Sequence, residues 1–315
     1  MTETALTLRP LTAADLPEVV AIDRALSGRG REDFFARRLT QATRAPAAFA
    51  AFAAARGEAL AGFVLARIYD GESRIYDGEF GADRREAALD AIGIAGPPGQ
   101  GIGRALLARL AAHLAAQGVR VLATEVDWTD PRLLPFFARN GFGLAPRLVL
   151  ARAGSPPAET EDAPARDRIP VRSMTRADFD AIAAIDRRIT RRDRQRYLAR
   201  KCDEAMEESA IRISLVAECD GAPAGYVMAR VDFGEFGHPE AEAVMDTIGV
   251  DPRRSHQGLA RALLSQLLMN LAGLRVEALR TEVAWNQFGL LAFLDRMGFA
   301  PHRRLALIRG ISPPS

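Results

Sequence analysis

An α/β protein of two tandem domains is what the sequence predicts, and three observations carry it: the length, an ordered internal repeat, and strands that alternate with helix-period segments. Domains usually fall near ~100–200 residues, so a chain of 315 residues suits two hydrophobic cores. A composition of 48% apolar and 26% charged residues can bury such cores and excludes disorder as the default.

The repeat organises the chain. Leu122-Ala-Thr-Glu-Val-Asp-Trp128 returns as Leu279-Arg-Thr-Glu-Val-Ala-Trp285. The same offset aligns Gly101-Ile-Gly-Arg-Ala-Leu-Leu107 with Gly258-Leu-Ala-Arg-Ala-Leu-Leu264, and Gly141-Phe142 with Gly298-Phe299. Upstream, Thr12 to Asp15 and Ala21 to Arg24 match Thr175 to Asp178 and Ala184 to Arg187 at a slightly larger offset. The difference is an insertion in the first copy, where Arg67-Ile-Tyr-Asp-Gly-Glu72 recurs as Arg74 to Glu79. A Pro-, Ala- and acid-rich stretch reads as a linker over 153–168, between an N-terminal domain over 1–152 and a C-terminal domain over 169–315.

Each copy begins with a strand and a helix opened by a capping-box signal, Thr12 with Asp15 or Thr175 with Asp178. More helix follows. Ile211–Glu218 and Ala224–Arg230 then read as a hairpin around Cys219 to Pro223, with Ala47–Ala55 and Ala61–Ile68 as the first-copy pair. After these come a strand over Ala243–Val250, a Gly-containing loop, a helix over Leu259–Leu271, the Thr-Glu-Val strand, another helix, and a last strand near Arg304–Arg309.

Charge and cysteine content narrow the function. Forty-two Lys and Arg against 40 Asp and Glu leave a net charge of +2, spread over both halves, with no stripe for nucleic acid. The densest basic groups are Arg253 and Arg254 with Arg261, and the run Arg187, Arg188, Arg191, Arg192 and Arg194, which reads as a solvated helix face. Cys202 and Cys219 lack metal-ligand spacing, and neither a disulfide scaffold nor a zinc site is expected. The start lacks a leader-like pattern and no apolar run reaches the ~20 residues of a membrane span, so a cytoplasmic protein is expected.

The loop before the second-copy helix carries the chemistry. It runs Arg253, Arg254, Ser255, His256, Gln257, Gly258, Leu259, Ala260, Arg261, after the strand residues Ile248, Gly249 and Val250. Small residues at 258 and 260 admit an anion close to the backbone, and the unpaired N–H groups of a helix start favour negative charge. A dinucleotide fingerprint is excluded, because Gly99, Gly101 and Gly103 have the wrong spacing.

This strand, loop and helix resembles the strand, Arg/Gln-x-x-Gly-x-Gly/Ala loop and helix of the GNAT acyltransferase superfamily, over nearly all of both copies, with Ser255 where the family's first basic residue stands and Arg253 and Arg254 just upstream. The resemblance implies that each domain is a mixed, mostly antiparallel central sheet flanked by helices, that acetyl-CoA is the cofactor, and that the loop cradles its pyrophosphate. In the first copy Gln100, Gly101, Ile102 and Gly103 match, but the arm before them is one residue shorter and has no cation. Asn286 stands where family members carry a cofactor-contacting Asn, and Thr129 replaces it in the first copy. The family's thiolate-protonating Tyr aligns with Phe137 and Leu294, neither of which can donate a proton.

Acyl transfer to an amine needs a neutral amine and a polarised thioester carbonyl. The candidate bases are Asp246, expected to share a strand face with Ile248 and Val250, and Glu282, with structural salt bridges as the competing role for both. Asp232, Glu235, Glu240 and Glu242 are candidates for a substrate mouth or a solvated loop, and His256 for a loop residue on the phosphate side. The expected activity is transfer of an acetyl group to a primary amine of a small molecule by the second copy, the first being degenerate, in a possible homodimer. The alternatives are a non-catalytic CoA-sensing or protein-interaction module and acetylation of a protein amine.

Overall fold

The computed structural model describes residues 5–69, 85–154, 168–203, 213–233 and 241–312. The duplicated insertion beyond Tyr69, most of the linker, and the start of the second hairpin at Ile211 lie outside the described residues.

The first half runs β1 (Leu6–Pro10), α1 (Leu16–Ser27), α2 (Glu32–Arg44), β2 (Phe49–Arg56), β3 (Ala59–Tyr69), β4 (Arg85–Ile94), α3 (Ile102–Ala116), β5 (Val119–Asp127), α4 (Leu133–Arg139) and β6 (Gly143–Leu144). The second half runs β7 (Arg147–Ala153), β8 (Val171–Ser173), α5 (Phe179–Thr190), α6 (Gln195–Asp203), β9 (Leu215–Cys219), β10 (Ala222–Phe233), β11 (Ala241–Val250), α7 (Leu259–Gly273), β12 (Ala278–Ala284), α8 (Phe288–Arg296), β13 (Ala300–Pro301) and β14 (Arg304–Gly310). Two mixed seven-stranded sheets result, ordered β1-β2-β3-β4-β5-β14-β6 and β13-β7-β12-β11-β10-β9-β8.

Local chemistry sets the element starts. Thr12 and Thr175 form complete capping boxes with Asp15 and Asp178 around a short 3-10 turn that leads into α1 or α5. Arg9 and Arg172 hold those carboxylates at 2.6 Å, and the hydrogen bonds to arginine keep both acids down at about 2. Asp220 and Gly221, both at positive φ, make the two-residue turn that joins β9 to β10.

Each sheet is covered on both faces. In the first unit Leu106, Leu107, Leu110 and Leu114 of α3 fill one side, while Val19 and Phe35 of α1 and α2 fill the other with Phe63. The second unit repeats this with Leu263, Leu264, Leu267 and Leu268 of α7 on one side and Ile182, Tyr197 and Tyr226 on the other.

The compact units do not coincide with the division read from the sequence. One takes residues up to Pro146 together with 303–315, and the other takes Arg147–Asp232 and Ala241–His302. The last strand of each repeat is the reason. β14 pairs antiparallel with β5 from Arg304↔Asp127 to Gly310↔Val121, and β7 pairs with β12 from Arg147↔Ala284 to Ala153↔Ala278. Strand periodicity fixes which residues face a core, and it does not say which of two similar sheets receives the strand.

Candidate active site

The site begins where a parallel ladder stops. β11 and β12 pair only from Glu242↔Ala278 to Val244↔Arg280, although both strands continue, to Val250 and Ala284. Just past the last pair, Thr281 Oγ1 donates to the Met245 carbonyl at 2.9 Å. A side-chain hydroxyl thus takes an acceptor that the next ladder bond would use, and the strands part. Thr124 does the same to the Leu89 carbonyl between β5 and β4, at 3.3 Å. The repeated Thr-Glu-Val therefore marks the point of divergence, a role that its value as a repeat marker did not show.

A bulge next to this point corrects one expectation. The β3–β4 register passes from Leu65↔Ala91 to Ala66↔Leu89, so Asp90 is the extra residue. Asp90 meets Arg38 of α2 at 3.1 Å and Arg67 of β3 at 2.9 Å. Asp246 repeats the arrangement with Lys201 of α6 at 3.3 Å and Arg230 of β10 at 3.1 Å. Ile248 and Val250 pack against the cluster that contains α7. Asp246 therefore does not share their face, and its carboxylate is buried between two cations.

The gap is lined by backbone. Asp251 N–H donates to the Ala224 carbonyl of β10 at 2.8 Å, as Ala95 does to Ala61 at 2.9 Å in the first unit. Backbone groups alternate along a strand, so Ile248 and Val250 turn theirs to the opposite edge, where β12 has diverged. Gly249 lies between them. A Cβ there would stand 2.7 Å from the Tyr226 ring and 2.9 Å from Ile189, so only glycine lets α5 and β10 approach so closely.

Beyond Val250 the chain forms the arm and the helix start. Asp251 caps a 3-10 turn over Pro252–Arg254 by accepting from Arg253 N–H at 3.0 Å. Arg254 pairs with Asp220 at 2.7 Å, and Ser255 Oγ donates to the Pro252 carbonyl at 2.9 Å. His256 has φ 62, Gln257 is exposed, and Gly258 at φ 87 is the N-cap of α7. Gly258 is half-buried, and its left-handed backbone is of the kind that favours glycine. Leu259 is buried, Ala260 half-buried and Arg261 exposed. This backbone turn at a helix start, with arginines beside it, fits a pyrophosphate.

The first-unit arm is built differently. Gly96, Gly99 and Gly101 all have positive φ, Gln100 and Gly101 are exposed, and Ile102 is buried. A Cβ on Gly103 would meet the Phe136 ring at 3.0 Å, so this glycine serves the packing of α3 against α4.

The remaining candidates separate. Asn286 is exposed in the turn between β12 and α8, two residues before Phe288. Glu282 is half-exposed on β12, on the face opposite the core residues Leu279 and Val283. Glu242 lies 3.5 Å from buried Arg280, an ion pair within the sheet in place of a substrate mouth. Glu235, Glu240 and the side chain of Asp232 lie outside what the structure describes. Leu294 and Phe137 are core residues, so no hydroxyl stands at either place.

One group has a role other than the one expected from the sequence, and another was not singled out there. The arginine run is no simple solvated face, because Arg188 pairs with Asp251 at 2.7 Å and Arg194 lies 3.4 Å from buried Asp186. Buried Tyr226 donates to Asp186 at 2.8 Å, and burial, reinforced by the Asp186 charge, raises its phenol well above the usual range. The signal was available: the first copy has Phe63 at this place.

The acetyltransferase (GNAT) family model matches this chain twice, over residues 17–142 and 179–299. The chain belongs to the GNAT family. None of the curated proteins compared with it matches. Among solved structures, a GCN5-related glucosamine N-acetyltransferase region of a fungal multi-domain GH3 β-N-acetylglucosaminidase is similar at TM-score 0.68 and 14% identity, over 98% of this chain. The chain spans 38% of that protein's length. A tandem GNAT protein from the clavulanic acid biosynthesis pathway is similar at TM-score 0.66 and 17% identity, covering 99% of this chain and all of that one. A GCN5-related N-acetyltransferase from Sphaerobacter thermophilus is similar at TM-score 0.60 and 16% identity, over 98% and 97% of the two chains. At such identities the likeness shows a shared tandem GNAT fold.

Proposed function

We propose that the second unit binds acetyl-CoA and transfers its acetyl group to a primary amine of a small molecule, while the first unit is a degenerate partner. The observation that supports this most is the parting of β11 from β12 after Val244, which leaves a gap lined by the N–H groups of Ile248 and Val250 and leads to the left-handed N-cap of α7 at Gly258. The cofactor would supply the activated thioester. The start of α7 and the basic arm would hold its phosphates, and a β11 N–H would donate to the reacting carbonyl oxygen. In this reading Glu282 takes the amine proton directly or through water, and Asp246 is a structural charge partner of Lys201 and Arg230. Asn286 would contact the cofactor arm. The proposal includes a cytoplasmic location, which Cys202 and Cys219, neither of them in a disulfide, fit.

A second reading, a CoA-binding module without turnover, is favoured by the apolar Leu294 and Phe137 where a proton donor is otherwise found. Titration with acetyl-CoA followed by an amine screen separates the two. One binding site lost in Gly258→Trp and kept in Gly101→Trp, with turnover of some amine, fits the enzyme. Binding without turnover fits the module, and no binding in the wild type refutes both.

A further inference from the structure

We propose that Arg188 is a positioning residue for the phosphate-side arm, acting through Asp251 as a clamp that the first unit lacks. Its relevance to catalysis rests on the acetyl-CoA reading above. Asp251 is the residue at which β11 becomes the arm, and both its backbone and its side chain are engaged. Its N–H reaches Ala224 across the sheet, and its carbonyl accepts from Arg254 N–H at 2.8 Å. One carboxylate oxygen caps the turn at Arg253, and the other receives Arg188 Nη1 at 2.7 Å. The carboxylate side chain is 13% exposed and the arginine 40%, so the pair is partly shielded from water. Ile189, the next residue on α5, lies against Gly249. The last turn of α5 thus grips both the strand that offers N–H donors and the loop that leads to Gly258.

The first unit has none of this. Ala25 follows the matched Ala-Ile-Asp-Arg in α1 at the place of Arg188, and Ala95 stands at the place of Asp251 with the same backbone bond to β3. Gly57 replaces Asp220, the partner of Arg254. Substitution at both ends of each pair goes with the loss of the cations from that arm. A loop held in shape before its ligand arrives loses less conformational entropy on binding, which favours affinity without changing chemistry at the acyl carbon.

The test compares wild type with Arg188→Ala, Asp251→Asn, the double variant and Arg187→Ala. Asn keeps the turn-capping oxygen while removing the charge, and Arg187→Ala removes an equal charge from the neighbouring exposed position. Two readouts are used: amide hydrogen exchange over 251–258, and calorimetric titration with acetyl-CoA. The clamp requires exchange in this arm to quicken by about fivefold in both single variants, with the first-unit arm over 95–101 unchanged. It requires acetyl-CoA affinity to fall by about fivefold in each, with no further fall in the double variant and less than about a twofold change in Arg187→Ala. Turnover at saturating acetyl-CoA stays near wild type. Unchanged or tighter binding in Asp251→Asn would mean that Arg188 acts directly on phosphate and would overturn the clamp, as would multiplicative losses. Quickened exchange without any acetyl-CoA uptake by the wild type would refute the cofactor reading and leave the clamp standing.

Discussion

Tyr226 donates its phenol to Asp186 at 2.8 Å in the second unit, at the place where Phe63 packs in the first. Asp23, the first-unit counterpart of Asp186, is held by Arg31, whereas Arg194 stands 3.4 Å from Asp186. The hydroxyl of Tyr226 thus compensates for a longer arginine contact. Tyr226→Phe removes a donor from a buried carboxylate and should cost about 1–3 kcal/mol in urea unfolding. The reciprocal Phe63→Tyr has no such deficit to fill and should not stabilise. The raised phenol also gives a pH signature. Folding disfavours the phenolate, so this contribution is intact below the unfolded value near 10 and is lost above it. Tyr226→Phe should remove that alkaline loss.

The second prediction separates two carboxylates that the sequence treats alike. Asp246→Ala leaves Lys201 and Arg230 buried without this partner and should cost about 3–5 kcal/mol. Glu282→Gln lies on a half-exposed strand position and should change stability by less than about 1 kcal/mol. If Glu282 takes the amine proton, its variant should lose turnover about 100-fold while acetyl-CoA affinity is kept. A Glu282→Gln protein with near-normal turnover would eliminate it as the base.

Acid sensitivity should reside at the capping boxes. Asp15 and Asp178 are both lowered from 3.8 to about 2, chiefly by hydrogen bonds from Arg9 and Arg172. Their folded values lie below the unfolded ones, so the stability they contribute is complete above about pH 4 and disappears as pH falls towards 2. Asp178→Asn should flatten the thermal stability profile over that window and leave it unaltered in slope near neutrality. An unchanged acid slope would show that other carboxylates control it.

How far the fold was legible depends on the range of the interaction. The capping boxes, the Asp220-Gly221 turn and the Gly258 helix start are local, and each could be read from a few adjacent residues. The repeat exposed the tandem plan because both copies kept Thr-Glu-Val and Gly-Phe. The face of Asp246 was misread because a bulge shifts alternation by one residue, and nothing in Val244-Met-Asp-Thr-Ile248 announces it. The work of Arg188 was hidden for another reason, since Asp251 is 63 residues away and a basic run on a helix reads as solvated. Composition cannot show a partner that only the fold brings near.

The exchange of last strands leads to the final prediction. β14 completes the first sheet between β5 and β6, and β7 lies between β13 and β12 in the second. A fragment over residues 1–152 would carry β5 with an open edge and hold β7 with no β12 to pair with. A fragment over 153–315 would keep β14 and lack β7. Each exposed edge presents unpaired backbone groups and the apolar side of a core, a known route to aggregation. Separately expressed, the two fragments should be insoluble or lack cooperative unfolding; co-expressed, they should purify together as a complex with restored sheet content by circular dichroism. Two fragments that each unfold cooperatively as monomers would show that the strand exchange is dispensable, and that each repeat can close its sheet with its own last strand.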